Sequence, residues 1–374
     1  MFFYILLVLQ SFAGILQVEI LDIGQGDAIL IRSPGGKNVL IDGGTGRGNS
    51  VYEHLQQRGI EQVNLMVGTH AHADHIGGLD EVIENLPVKM YMDNGMPHTT
   101  RTYNALMDLI EQKNIKYIQA KAGRKFNLDD GILLEILAPY DKLLSGTRSD
   151  LNSNSVILRL THGKNCFLFT GDAEEPTEEL LVQKGISQCD VLKVAHHGSN
   201  HSSSKHFLQA VQPKIALISL GKNNRYNHPG DETVRRLKKH GAQVFRTDEL
   251  GSIHLESNKT DVKISTPSAQ QQKQIKKTIT KTTDSTPKPP VEEPKPPVEE
   301  KVHTPSANSA GGCNLNTASS AELQNIPGIG QSRADAIISH RQSNGMFTTV
   351  SQVRDVKGIG KKLTEKIAQH CFVE

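Results

Sequence analysis

Three histidines and an aspartate, spaced His70-Ala71-His72-Ala73-Asp74-His75 directly after the apolar run Val63-Asn64-Leu65-Met66-Val67-Gly68-Thr69, constrain this chain more than any other feature. A β-strand that ends in three imidazoles and a carboxylate carries a desolvation cost that a bound cation offsets. Imidazole nitrogen and carboxylate oxygen are donors that Zn²⁺ and Mn²⁺ accept. Alternation along an extended backbone places His70 and His72 on one side, with Asp74 and His75 turned toward another. That division suits two ions rather than one. The alternative, a polar loop that is merely rich in histidine, leaves the spacing unexplained.

The rest of the chain divides by composition. At 374 residues it predicts two or three units, and 36% hydrophobic residues with no Trp describe ordinary globular material. Residues 266–374 hold 14 Lys and Arg against 10 Asp and Glu, so the tail is the basic part of a chain whose overall charge is only +2. Between 266 and 312 Lys, Thr, Ser and Pro dominate, and Pro287-Lys288-Pro289-Pro290-Val291-Glu292-Glu293 is repeated at once from Pro294 to Glu300. This composition predicts a disordered, Pro-rich linker, extended at about 3 Å per residue. The expected organisation is a leader over 1–14, a body over 15–265, the linker over 266–312 and a terminal unit over 313–374.

The leader reading rests on the short apolar run Met1 to Leu9 and the small residues Ser11 and Ala13, the way a cleavable export signal ends. It predicts a secreted or cell-surface protein; a buried first strand in its place would leave the protein cytoplasmic. Four cysteines are too widely spaced for a zinc knuckle. Cys313 and Cys371 bracket the terminal unit, and in an exported protein they read as a disulfide clamp, with Cys166 and Cys189 as candidates for a second bridge.

Within the body, short apolar strands such as Ala28 to Ile31 and Val156 to Leu160 alternate with helical stretches, notably Tyr103 to Gln112 and Glu232 to Lys239. That pattern predicts a layered α/β arrangement.

The motifs then fall in an order that is distinctive. Leu21-Asp22-Ile23-Gly24-Gln25-Gly26-Asp27-Ala28, Leu40-Ile41-Asp42-Gly43-Gly44 and the histidine motif are followed by Asn152-Ser153-Asn154-Ser155-Val156 and Thr170-Gly171-Asp172-Ala173-Glu174. Ala195-His196-His197-Gly198-Ser199 and Asn227-His228-Pro229 complete the series. This succession resembles the metallo-β-lactamase superfamily, and within it the hydrolase domain of ComEC-type competence proteins. The resemblance implies an αββα sandwich with two divalent metal ions, Zn or Mn, at one rim. It implies that His70 and His72 hold one ion, that Asp74, His75 and one imidazole of the 196/197 pair hold the other, and that Asp172 bridges them. Of that pair His196 comes first after the strand Cys189 to Ala195 and is the expected ligand, leaving His197 for substrate or proton transfer; the opposite assignment stays open. Asp74, His197 and His228 are the candidate catalytic residues. Asn154 stands where many superfamily members carry another histidine, which weakens the first site. Two cations roughly 3.5–4 Å apart activate water and neutralise charge on the oxygens of an attacked phosphorus or carbonyl.

The terminal unit carries two similar hairpins, Asn325-Ile326-Pro327-Gly328-Ile329-Gly330 and Asp355-Val356-Lys357-Gly358-Ile359-Gly360, each preceding a helix. It resembles the tandem helix-hairpin-helix DNA-binding domain of ComEA-type competence proteins, a small all-α unit. The implied DNA contacts are Gly328, Ile329, Gly330, Arg333, Lys357, Gly358, Gly360, Lys361 and Lys362, through phosphates rather than base edges. A protein-binding helical tail is the alternative.

Three classes of function follow: an exported metal-dependent nuclease or phosphodiesterase; a hydrolase of a cell-surface phosphodiester or a β-lactam with a DNA-binding tether; and a DNA-uptake binding protein with a degenerate body. The third is disfavoured because every ligand position except that at Asn154 carries a competent residue. ComEC-type proteins also have a membrane channel, which this chain lacks, so transport by itself is not expected.

Overall fold

The computed structural model describes residues 14–46, 50–129, 131–266, 313–324, 326, 329, 331–344, 346–356 and 359–373. The leader over 1–13 and nearly all of the linker, 267–312, lie outside the described residues. Two compact units result, and they are taken in turn.

The body is built on two sheets. Its strands in chain order are Leu16–Ile20 (β1), Ile29–Arg32 (β2), Asn38–Ile41 (β3), Leu65–Val67 (β4), Met90–Asp93 (β5), Lys116–Gln119 (β6), Lys125–Asp129 (β7) and Ile132–Ala138 (β8). The remainder are Ile157–His162 (β9), Asn165–Phe169 (β10), Val191–Lys193 (β11), Ile215–Ile218 (β12), Gln243–Arg246 (β13), Ile253–Ser257 (β14) and Val262–Ser265 (β15). One sheet of eight strands runs β15-β14-β1-β2-β3-β4-β5-β6, and one of seven runs β13-β12-β11-β10-β9-β8-β7.

Strand alternation sorts the side chains into layers. Val18, Ile29, Ile31, Val39, Ile41, Leu65 and Val67 meet Leu134, Ile136, Leu158, Leu160, Phe167 and Phe169 of the other sheet in the central core. Leu30, Leu40 and Met66 point the other way, onto helices Val51–Gln57, Leu79–Asn85 and Arg101–Gln112. Ile157, Leu168 and Leu192 do the same toward helices Glu175–Gln183, Lys205–Val211 and Asp231–Lys239. Strands buried on both faces read as continuous apolar runs, and helices cover each sheet from outside. This is the expected αββα sandwich. The helix Arg101–Gln112 shows the local logic: the Thr100 side chain caps it by accepting from Tyr103 N, and Leu106 and Ile110, four residues apart, are its buried contacts.

Strands β3 to β6 are mutually parallel, as are β10 to β13, so their carboxyl ends gather at the edge where ligands bind in such sheets. Cys166 in β10 is bonded to Cys189 just before β11, tying two neighbouring parallel strands near their start. Among the described residues no helix is long and apolar enough to cross a membrane.

The tail unit closes on itself. Cys313–Asn314 pairs in parallel with Cys371–Phe372, and Cys313 and Cys371 are joined by a disulfide, which adds a short sheet to the expected helices. Helices Ser320–Gln324, Gln331–Asn344 and Lys361–His370 surround a core that includes Leu315, Leu323, Ile337, Phe347, Val353 and Ile367. Ser319 and Glu322 form a reciprocal cap: Ser319 N and Oγ donate to Glu322, and Glu322 N donates to Ser319 Oγ. Asn316 accepts from Phe347 N (2.8 Å) and donates to Phe347 O (2.9 Å), pinning the chain between the hairpins to the start of the unit.

Candidate metal centre

The site forms where the two sheets present their strand ends to one another. Val67 ends β4, and the chain passes through Gly68 and Thr69 to His70; His72 precedes a single helical turn, Ala73–Ile76, that turns Asp74 and His75 back toward the strand ends. From the second sheet, β10 delivers Asp172 and β11 delivers His196 and His197. The loop after β1 brings Asp27 into the same space. Gly26 makes that approach feasible: its φ is +127°, and a Cβ there would lie 2.1 Å from the Asp74 carbonyl oxygen.

Hydrogen bonds to the far side of each ring fix which nitrogen faces the centre. Thr69 donates N–H and Oγ1–H to Asp42, so its oxygen accepts from His70 Nδ1 (3.1 Å), leaving His70 Nε2 inward. His75 Nδ1 donates to Asp42 Oδ2 (2.8 Å) and His197 Nδ1 to Ser219 O (2.9 Å). What remains inside is a set of converging donors. His70 Nε2 faces His72 Nδ1 at 2.9 Å, and Asp172 Oδ2 lies 3.2 Å from His75 Nε2 and 3.8 Å from His70 Nε2. His197 Nε2 lies 3.4 Å from Asp74 Oδ2 and 3.8 Å from Asp172 Oδ1. His75 Nε2, His197 Nε2 and Asp172 Oδ1 are buried polar atoms with no hydrogen-bond partner. Buried groups of this kind are costly unless something coordinates them, and the donor set is one that a divalent cation satisfies. His70, His75 and Asp172 form one metal-capable group, and Asp74, His75 and His197 another.

The electrostatics agree. Burial opposes ionisation of Asp172, yet the His75 and His197 rings beside it hold its carboxyl well below the usual range. Burial likewise opposes charge on those rings, but Asp172 and Asp42 raise His75 well above its ordinary value, and Asp172 and Asp27 push His197 up to about 10. His70 and His72 are shifted the opposite way, by burial and by His75, and stay neutral. A divalent cation held by these residues would compete with the protons on His75 and His197.

His197, not His196, joins Asp74 and His75. His196 remains within 3.8 Å of Asp172 Oδ2, but its Nδ1 turns to Glu174 Oε1 (3.4 Å), and Glu174 is held in turn by Arg148 and Asn152. Both histidines have positive φ, 50° and 51°, in the turn that directly follows β11. Asn154 is engaged elsewhere. Its amide donates to Leu144 O (2.8 Å) and Asp150 O (2.7 Å) and its oxygen accepts from Leu144 N (2.9 Å), so it locks a loop, while Ser155 next to it reaches His70 Nδ1 at 3.4 Å. His228 lies half-buried at the mouth, its ring 5.6 Å from that of His196. Burial and the neighbouring His196 and His197 rings lower it to about 4, which favours a neutral ring at neutral pH.

Asp27, Asp42 and Lys193 were missed as site residues. Lys193 is fully buried inside β11 and pairs with Asp27, whose other oxygen lies 3.4 Å from His197 Nδ1. The signal was available for Asp42, which directly follows the apolar strand β3, where a carboxylate needs a charge partner, as Asp172 does.

Residues 21–222 match the metallo-beta-lactamase superfamily. The chain belongs to that superfamily. Residues 308–372 match the helix-hairpin-helix motif. The chain is similar to ComE operon protein 3 of Bacillus subtilis, 31% identical over 257 residues (63% of this chain, 32% of the relative), and to Recombination protein 2 of Haemophilus influenzae, 32% identical over 259 residues (68% and 30%). Its tail is similar to ComE operon protein 1 of Bacillus subtilis, 48% identical over 61 residues (16% of this chain and 30% of the relative). The chain spans about a third of the length of these curated relatives. It is thus a metallo-hydrolase fold related to competence proteins, joined to a motif associated with DNA binding.

The implied DNA contacts in the tail are only partly in view. Gly328, Gly330, Lys357 and Gly358 lie outside the described residues, as do the side chains of Lys361 and Lys362. Arg333 is exposed, whereas the Ile329 side chain is buried in the tail core and leaves only its backbone for a partner. Gly360 precedes helix Lys361–His370, whose first N–H groups receive no side-chain cap, and a Cβ at Gly360 would meet nothing within 4 Å.

Proposed function

We propose that this chain is an exported phosphodiesterase using two divalent ions, Zn²⁺ or Mn²⁺, and that its substrate is DNA, cut without sequence preference and concentrated by the helix-hairpin-helix tail. The observation that carries the reading is the convergence of partnerless His75 Nε2, His197 Nε2 and Asp172 Oδ1 on one buried point between the sheets.

His70, His72 and Asp172 would hold one ion, and Asp74, His75 and His197 the other, with Asp172 shared. When bound, such ions supply Lewis acidity, which turns water into a nucleophile at neutral pH and offsets charge on phosphate oxygens. The chain's own part is orientation. Asp42 and Ser219 O hold His75 and His197 with Nε2 inward, the role that outer hydrogen bonds play around metal ligands. Asp27 and Lys193 neutralise one another behind them. His228, neutral and at the open side, is placed to hydrogen-bond a substrate oxygen. In the tail, the uncapped N–H groups after Gly360 suit a phosphate. Two disulfides favour an oxidising compartment, in line with export.

Incubating the full chain with labelled single- and double-stranded DNA, RNA, bis(p-nitrophenyl) phosphate and a chromogenic β-lactam, with Zn²⁺ or Mn²⁺ and with metal content measured in parallel, tests the reading. DNA and the small diester should be cleaved and chelation should stop both. Turnover of the β-lactam alone would overturn it.

A further inference from the structure

Loop 221–228, between β12 and helix Asp231–Lys239, is built to present one exposed ring. Asn224 stitches it: its oxygen accepts from Tyr226 N (3.2 Å) and His228 N (3.0 Å), and its amide donates to Gly221 O (3.1 Å) and His228 O (2.7 Å). Held this way, Tyr226 stacks on His228 with ring centroids 5.9 Å apart and planes 21° from parallel. His228 meets His196 edge-on at 5.6 Å, and His196 Nε2 stands 3.8 Å from Asp172 Oδ2. A ladder of three rings therefore leads from the metal-capable cluster to solvent.

Its outer rung lies outside the apolar cores of the body. Tyr226 is 47% exposed and belongs to none of the apolar clusters of the body. Arg225 lies over the same ring, 4.9 Å from its centroid, and donates to Tyr226 Oη (2.8 Å). An exposed cation–π contact is weak, whereas a nucleobase stacks on an aromatic face strongly and without regard to sequence.

We propose that Tyr226, backed by His228, is a stacking platform for one unpaired nucleobase, so that the phosphodiester attached to that base enters beside His196 and Asp172 while Arg225 moves to a neighbouring phosphate. The proposal rests on the phosphodiesterase reading and narrows it. A base inside an intact duplex has both faces covered, so the body acts on single strands and frayed ends in preference to continuous duplex.

The test uses the full chain loaded with Mn²⁺ or Zn²⁺ and two trinucleotides, one of thymidylate and one with the same backbone but no bases. Wild type should show a KM about tenfold lower for the base-bearing strand. Tyr226→Ala should erase that preference with kcat little changed, and Tyr226→Trp should keep it. Independently of hydrolysis, the fluorescence of a 2-aminopurine trinucleotide should be quenched by wild type and by Tyr226→Trp but not by Tyr226→Ala. Equal KM values for the two strands in wild type, or the same preference or quenching in Tyr226→Ala, would overturn the platform. Quenching that depends on Tyr226 without hydrolysis of either strand would keep the platform and overturn the phosphodiesterase reading.

Discussion

The body and the tail place their chemistry in different parts of the polypeptide. In the body it resides in side chains: Asp27, Asp42, His70, His75, Asp172 and His197 are all buried, and each is oriented by a specific partner. In the tail the buried side chains are mainly aliphatic, and the helix after the second hairpin starts at Gly360 without a side-chain cap. The difference teaches that the first unit depends on the identity of single residues, whereas the second depends on the path of its main chain and on summed charge.

The largest effect that could break this contrast is at the centre. Asp172→Ala and His75→Ala should each lower hydrolysis by at least ~1,000-fold and reduce metal per chain in mass analysis, with DNA retention unchanged. Wild-type turnover in either purified variant would remove the two-metal assignment. Next, removal of residues 313–374 should weaken DNA binding on the order of 10–100-fold at moderate salt and flatten its salt dependence, while turnover of bis(p-nitrophenyl) phosphate stays within about twofold. Unchanged affinity after that deletion would make the tail a bystander.

The disulfides sharpen the comparison further. Cys313→Ser with Cys371→Ser opens a loop with a sequence separation of 58 in a small unit and should cost about 2–4 kcal/mol of tail stability, read from urea unfolding. The corresponding pair at Cys166 and Cys189, with a separation of 23, should leave the body folded, because two sheets and two helical layers hold it. A body that unfolds first on reduction would reverse the expected order.

The smallest effect is one of pH. Glu178 accepts from Ser203 N and Ser204 N (2.7 Å for the latter), yet burial pushes it from its ordinary 4.5 up to about 7. A carboxyl raised by folding keeps its proton longer in the folded state, so the body should lose stability as pH rises from 4.5 through about 7, by about 1–3 kcal/mol. Glu178→Gln should flatten that slope in thermal unfolding. In the tail the sign is opposite: the Ser319 N–H and hydroxyl hold exposed Glu322 below its ordinary value, so its contribution is present at neutral pH and fades as pH falls. A body whose stability is level across the window would show that the two N–H donors already balance the burial of Glu178.

Much of the body was legible because its signals are local. Apolar runs gave the strands, with β2, β9 and β11 falling within or beside the segments read as extended, and the helices Arg101–Gln112 and Asp231–Lys239 begin within two residues of their expected starts. What escaped depends on contacts between distant segments or on torsion. The pairing of Lys193 with Asp27 crosses 166 residues, and no window of sequence contains both. The placement of His197, rather than His196, beside Asp74 and His75 goes with two positive φ values that a strand-based count of sides does not include. Asn154 sits in a motif position but spends its side chain on the 144–150 loop, which position alone does not reveal.

The division of the ligand set between two sheets has a consequence for timing. His70 to His75 follow β4 of one sheet, and Asp172 and His197 follow β10 and β11 of the other, about a hundred residues later in the chain. Neither sheet alone holds a full complement. A newly made polypeptide therefore lacks the assembled cluster until its two halves have closed on each other, and a perturbation that parts the sheets disperses it.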